Sequence, residues 1–173
     1  MKKFFIFFLC VALLVFFSPT FYKLYYRFKE PKFLFPVLFP IDNQGRIPIR
    51  NDRFGNGEFG AKRKGGRIHK GIDVLAPMDT PVIAAKSGRA MIGQTLGIGK
   101  YVFILHPEGS ATLYGHLSKI RVKQNQWVRQ AQIIGNVGKT GNAATRGLKP
   151  HLHFEIRIDG QVVNPIDEDL QIK

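Results

Sequence analysis

The sequence predicts an all-β domain built on an antiparallel sheet, carried behind an apolar N-terminal helix. Past residue 40, short apolar runs alternate with Gly, Pro and Asn turn signals, and no segment holds a long 3.6-residue period. Asp159-Gly160 separates two β-branched runs at hairpin distance and is the strongest turn dipeptide in the chain. The 173 residues leave room for one core, and 45% apolar residues are enough to fill it.

The N-terminus comes first. Met1, Lys2 and Lys3 precede an uncharged apolar run from Phe4 to Phe17, the pattern of an export signal. The run is shorter than the roughly 18 apolar residues of a comfortable bilayer span, and no small-x-small cleavage site follows it. Tyr22, Tyr25 and Tyr26 suit an interfacial belt, so residues 1–30 read either as a cleaved signal peptide or as an anchor in the inner membrane. Cys10, the one cysteine, lies inside the run, which excludes a disulfide in the remainder. Lys+Arg 26 against Asp+Glu 12 gives +14, a charge that calls for anionic surroundings. Export turns that expectation away from nucleic acid and toward the periplasm or cell envelope.

Residues 31–53 read as a linker or extended segment. Pro31 to Pro40 places Phe33, Phe35 and Phe39 at alternating positions, and Ile41 to Gly66 is polar and Gly-rich, which favours loops with short strands. From residue 54 to 173 the domain proper is expected. Its strands fall at Pro81–Ala85, Arg89–Gly93, Lys100–His106, Ala111–Leu117, Gln132–Gly135, Leu152–Ile158 and Gln161–Val163.

Four of the five histidines sit in patterns that suit a metal. His69 and Asp73 form His-x-x-x-Asp, His151 and His153 form His-x-His, and His116 closes Thr112-Leu113-Tyr114-Gly115-His116. On a strand, residues two and four apart share a face, so each pair can project one way while Leu152 and Phe154 enter the core. Taken alone, His69 with Asp73 is an ordinary surface ion pair; the ordered combination of three segments with flanking glycines points instead to a site. Zinc takes imidazole and carboxylate ligands, and a catalytic site keeps three of them with one position open. A His, an Asp and a His supply three, leaving two imidazoles for proton transfer and oxyanion support in amide hydrolysis. No His-Glu-x-x-His occurs, which excludes a helix-borne zinc site of that type.

The segments Arg67-Ile68-His69-Lys70-Gly71-Ile72-Asp73-Val74, Ala76-Pro77, Thr80-Pro81-Val82, Gly97-Ile98-Gly99-Lys100-Tyr101-Val102, Thr112 to Ser118, Gly138-x-Thr140-Gly141 and His151-Leu152-His153-Phe154-Glu155 resemble the lysostaphin-type zinc endopeptidases in order and spacing, over about residues 54 to 167. The resemblance implies a small antiparallel β scaffold with a groove over one sheet. It implies one zinc per chain held by His69, Asp73 and His153, with His116 and His151 as the catalytic pair. It also implies cleavage of peptidoglycan stem peptides or cross-links. The alternative on the same scaffold is a catalytically silent wall-binding activator, whose members typically lack a ligand; here all are present. A zinc D,D-carboxypeptidase is the other rival, disfavoured by the short His69 to Asp73 spacing.

Some features stand outside that pattern. The family's Phe-Gly-x-Arg appears as Phe59-Gly60-Ala61-Lys62-Arg63, with the arginine displaced by one, and Gly147-Leu148-Lys149-Pro150 is a small insertion before His-x-His. The basic cluster Lys62, Arg63, Lys64, Arg67 and Lys70 suits the carboxylates of stem peptides or a solvated loop equally. Glu155 is positioned to orient a catalytic histidine, His106 reads as a strand-end residue, and the Gly-rich loops Thr95–Lys100 and Lys139–Pro150 are expected to border the groove as mobile segments.

Overall fold

The computed structural model describes residues 18–34, 36 and 47–168. The apolar run Phe4–Phe17, expected as a helix, lies outside them, as do Phe35 and Phe39. The helix that is described, α1 (Pro19–Lys29), is not apolar: Lys23, Arg27 and Lys29 interrupt it. Ser18 caps it, accepting the Phe21 amide at 3.1 Å, and Pro19 occupies the first turn. No described helix is long and apolar enough to cross a membrane.

The rest is β. The strands are β1 (Asn51–Asp52), β2 (Gly55–Asn56), β3 (Ile72–Leu75), β4 (Pro81–Ile83), β5 (Gly88–Thr95), β6 (Gly99–Leu105), β7 (Ala111–Leu117), β8 (Lys119–Ile120), β9 (Trp127–Val128), β10 (Ile133–Asn136), β11 (His151–Ile158) and β12 (Gln161–Val163). The main sheet runs β12-β11-β7-β6-β5-β9, with β3 also paired to β11; a second, three-stranded sheet runs β4-β10-β8. Every strand pairing is antiparallel. The seven expected strands thus divide between two sheets, a split that the short runs at Pro81–Ala85 and Gln132–Gly135 did not announce. The two-residue strands β8 and β9 carry too few side chains for any period to register.

β11 organises the large sheet. β3 pairs with its first half and β12 with its second half, while β7 covers the other edge, so β11 is central along its length. That accounts for its near-continuous burial, from His151 through Ile156. Leu152, Phe154 and Ile156 enter the core with Val74, Val102, Ile104, Tyr114 and Leu117, each at 0% exposure. Asp159 and Gly160 both take positive φ, 50° and 77°, and close the β11–β12 hairpin as their sequence requires.

The segment before the domain is tied to it. Phe33 is buried in the core cluster, and the Leu34 amide donates to the Ala85 carbonyl at 2.9 Å. Glu30, at the C-cap of α1, accepts from both the amide and the hydroxyl of Ser87 at 2.7 Å.

Candidate metal centre

Strand register brings the site together. His153 on β11 stands opposite Asp73 on β3 and opposite Gly115 on β7, so three strands meet at one level. His151, His153 and Glu155 share the face of β11 turned from Leu152 and Phe154, as the period of two demands. His69 arrives differently. It precedes β3 and is not on a strand; the chain bends at Gly71, where a Cβ would lie 2.2 Å from the Phe154 carbonyl oxygen. Only glycine fits that approach, and the bend returns His69 over Asp73, where the sequence reading relied on strand spacing.

Three donor atoms converge. His69 Nε2 lies 3.0 Å from His153 Nδ1 and 3.0 Å from Asp73 Oδ1, and His153 Nδ1 lies 2.9 Å from the same oxygen. Each imidazole spends its other nitrogen outward. His69 Nδ1 donates to the Glu58 carbonyl at 2.8 Å and His153 Nε2 donates to Glu155 Oε1 at 3.1 Å. Carbonyl and carboxylate oxygens can only accept, so these nitrogens carry the protons and the neutral rings turn bare lone pairs toward Asp73. In these neutral tautomers two imidazole lone pairs and a carboxylate oxygen face one another, and a cation, either a metal ion or a proton on His153, has to lie between them. The group therefore fits a metal, and His69, Asp73 and His153 are all buried. A proton answers the same demand: burial lowers the pKa of His153, but hydrogen bonds to Asp73 and Glu155 outweigh it and raise the group to about 9.

Asp73 is held as a carboxylate. Burial raises its pKa, yet His153 and His69 oppose that and keep it well below the usual carboxylate range. Its second oxygen, Oδ2, accepts from Arg50 Nη2 and from Arg63 Nη2, both at 3.1 Å. Arg63, displaced by one in the sequence, still reaches the aspartate; its other nitrogen donates to the Asn56 carbonyl. Arg50 is a site residue that sequence reasoning missed, because it sits in a stretch read as linker, 23 residues before the group it serves.

His116 and His151 form a second pair beside the triad. Their ring centroids are 4.9 Å apart, and with Asp73 they offer a second donor set whose atoms lie within 4.8 Å of one another. Their Nδ1 atoms donate outward as well, to the Thr140 carbonyl at 3.0 Å and the Lys149 carbonyl at 2.8 Å. Burial, then the neighbouring His151 and His153, lowers His116 to about 3; burial also lowers His151. Both are neutral at pH 7, each with Nε2 free to accept a proton. His116 takes φ 60°, a left-handed conformation that a non-glycine residue adopts only where its surroundings enforce it.

Two expectations change. Glu155 orients His153, a member of the triad, rather than either histidine of the pair; its Oε2 is in turn held by Arg157 at 2.7 Å. The loops at Thr95–Lys100 and Lys139–Pro150 are tied together: Asn142 donates its amide to the Gly97 carbonyl at 3.0 Å, and the Lys100 amide donates to Thr140 Oγ1 at 2.9 Å. His106 does follow the last residue of β6, as a strand-end residue, and it is buried there, with Nδ1 2.9 Å from the Ser87 carbonyl oxygen and Nε2 3.0 Å from Thr112 Oγ1.

A β-sheet domain that gathers four histidines and an aspartate into one buried centre defines a class, antiparallel β domains with a histidine–aspartate cluster that could hold a metal ion. Residues 67–165 match the model of Peptidase family M23, and the chain belongs to that family. It is 46% identical over 101 residues to the DD-carboxypeptidase/endopeptidase Mpg of Neisseria meningitidis, a match that covers 58% of this chain and 22% of that protein. The catalytic domain of lysostaphin from Staphylococcus simulans superposes with a TM-score of 0.56 at 31% identity, covering 64% of this chain and 86% of that one. A zinc containing peptidase from Vibrio cholerae superposes with a TM-score of 0.57 at 30% identity, over 80% of this chain and 41% of that one. The chain thus spans less than a quarter of the Neisseria relative.

Proposed function

We propose that this protein is a zinc-dependent endopeptidase of the cell envelope that hydrolyses amide bonds in peptidoglycan peptides. The observation that carries the reading is the convergence of His69 Nε2, Asp73 Oδ1 and His153 Nδ1 within about 3 Å of one another, three atoms of ligand type in one buried cluster. His69, Asp73 and His153 hold the metal. Zinc supplies a Lewis acid for the scissile carbonyl and lowers the pKa of water.

The remaining work falls to this chain's own side chains. His116 and His151 are neutral, with their Nδ1 protons fixed on backbone carbonyls, so each presents Nε2 as an acceptor. One takes the proton of the attacking water and, now an imidazolium, donates it to the leaving amine. The protonated ring is then the N–H donor beside the oxyanion, while its neighbour, 4.9 Å away between centroids, has no proton on Nε2 and remains an acceptor. Arg50 and Arg63 keep Asp73 in place through Oδ2. The +14 charge and the export pattern of the first thirty residues support an anionic wall polymer as substrate and the envelope as location.

A second reading is favoured by the Neisseria relative, whose name carries both DD-carboxypeptidase and endopeptidase. One digestion separates them. Purified peptidoglycan is incubated with the zinc-loaded chain and with His151→Ala, and released fragments are analysed by mass spectrometry. New internal amines, lost in the variant, establish an endopeptidase, whereas release of terminal residues alone establishes a carboxypeptidase. A zinc-loaded protein that binds the wall and releases nothing is the silent activator.

A further inference from the structure

Helix α1 has two faces. Tyr22 and Tyr26 pack on Trp127 of β9, with ring centroids 6.3 and 5.7 Å away, and Glu30, next on the same line, is buried against Ser87. Residues 22, 26 and 30 are four apart, so this is the side turned to the domain. Leu24 and Phe28 lie on the opposite side, 49% and 76% exposed, and Tyr25, 48% exposed, lies on the flank beside them with its ring edge-on to Tyr26 at 5.3 Å. Lys23 and Arg27 border this apolar stripe on one flank and Lys29 on the other, and the helix contains no acidic residue. Lys29 is steadied there, its ammonium 5.4 Å from the centre of the Tyr25 ring.

An apolar stripe between basic flanks matches the boundary of an anionic bilayer, where acyl chains take the stripe and phosphates take the lysines and arginine. A soluble polyanion offers the charge without the apolar phase. The sequence places the uncharged run Phe4–Phe17 directly before the Ser18 cap, which brings a lipid surface to the start of the helix. We propose that α1 lies on an anionic phospholipid surface through Leu24, Tyr25 and Phe28, and that its packing on Trp127 and Ser87 fixes the domain's orientation toward that surface. This does not depend on the peptidase reading.

Trp127 is the only tryptophan and reports the domain side of α1. The full-length chain is reconstituted into phosphatidylglycerol vesicles and into phosphatidylcholine vesicles, each doped with lipid spin-labelled near the headgroup. Wild type is compared with Phe28→Trp in a Trp127→Phe background. The expected result is that the indole at position 28 is blue-shifted and quenched several-fold more than Trp127 in the anionic vesicles. In the same background, Lys23→Gln, Arg27→Gln and Lys29→Gln together abolish that quenching. Position 28 unquenched in either vesicle overturns the proposal, and equal quenching in phosphatidylcholine overturns recognition of anionic lipid. A concentration-dependent blue shift without lipid assigns the stripe to a second copy of the chain and also overturns it.

Discussion

Arg50 Nη2 lies 3.1 Å from Asp73 Oδ2, the carboxylate oxygen turned away from His69 and His153. The guanidinium also holds Asp52 at 2.7 Å, so one buried side chain bridges the short β1 strand to the centre. Exchange of Arg50 for Gln removes a charge-assisted partner from a ligand and leaves Arg63 as the remaining one. Outer partners of this kind typically contribute 10- to 100-fold in metal affinity, and a loss of roughly tenfold is expected here. Zinc competition against a chromogenic chelator measures it; unchanged affinity would show that Arg63 suffices.

The histidine pair and the triad separate by experiment. His116→Ala and His151→Ala each lower turnover by about 10² to 10⁴, the range for loss of a positioned acid–base group, while zinc affinity changes little. His153→Ala abolishes zinc binding itself. Turnover and zinc stoichiometry on the same preparations distinguish the two groups.

Gly115 stands beside His153 on the neighbouring strand. A Cβ there would lie 2.6 Å from Ile98 Cγ2 and 3.3 Å from His153 Cβ. Gly115→Ala therefore pushes on the loop before β6 and on a triad member together. A loss of about 1 to 3 kcal/mol in unfolding free energy is expected from such overpacking, with weaker zinc binding alongside. Thermal unfolding with and without zinc reads both.

His106 gives the fold an acid-sensitive point remote from the centre. Burial depresses its pKa below 6.5, against the opposing effects of Ser87, Glu108 and Glu30, with Lys86 acting in the same direction as burial. The unfolded chain takes up a proton below about pH 6.5 that the folded state refuses, so stability falls as pH drops below that value. Glu108, also depressed, contributes stability that is present above its unfolded value of 4.5 and is lost below it, as pH falls through the lower folded value. His106→Gln flattens the slope that begins below about pH 6.5 and leaves the Glu108 window in place. Urea unfolding across both windows tests it.

The sequence carried the all-β class because alternation and turn dipeptides are local, and Asp159-Gly160 closes its hairpin as its residue types require. His69, Asp73, His116, His151 and His153 were legible as a set for a similar reason: the residue types that suit a metal are few, and they fall in short spaced groups. Arg50 was not legible. Its role depends on Gly57 donating its amide to the Arg50 carbonyl and on the Arg50 amide donating to the Asp73 carbonyl at 2.8 Å, contacts that no spacing encodes. The tie between the Gly97 and Asn142 loops is hidden likewise, since glycine content reads as freedom until a close backbone approach is seen. Phe33 belongs to the core although its neighbourhood reads as linker, because a single buried aromatic leaves no periodic trace.

Asp73 and His153 are 80 residues apart in the chain, yet adjacent across one strand pairing. Until β11 joins β3, His69 and Asp73 are an ordinary histidine and carboxylate, and the centre needs a chain that extends through His153. Among the described residues β11 is the last of the long strands, and it carries both His151 and His153. A chain that stops short of β11 lacks His151 and His153, and with them half of the four histidines gathered around Asp73.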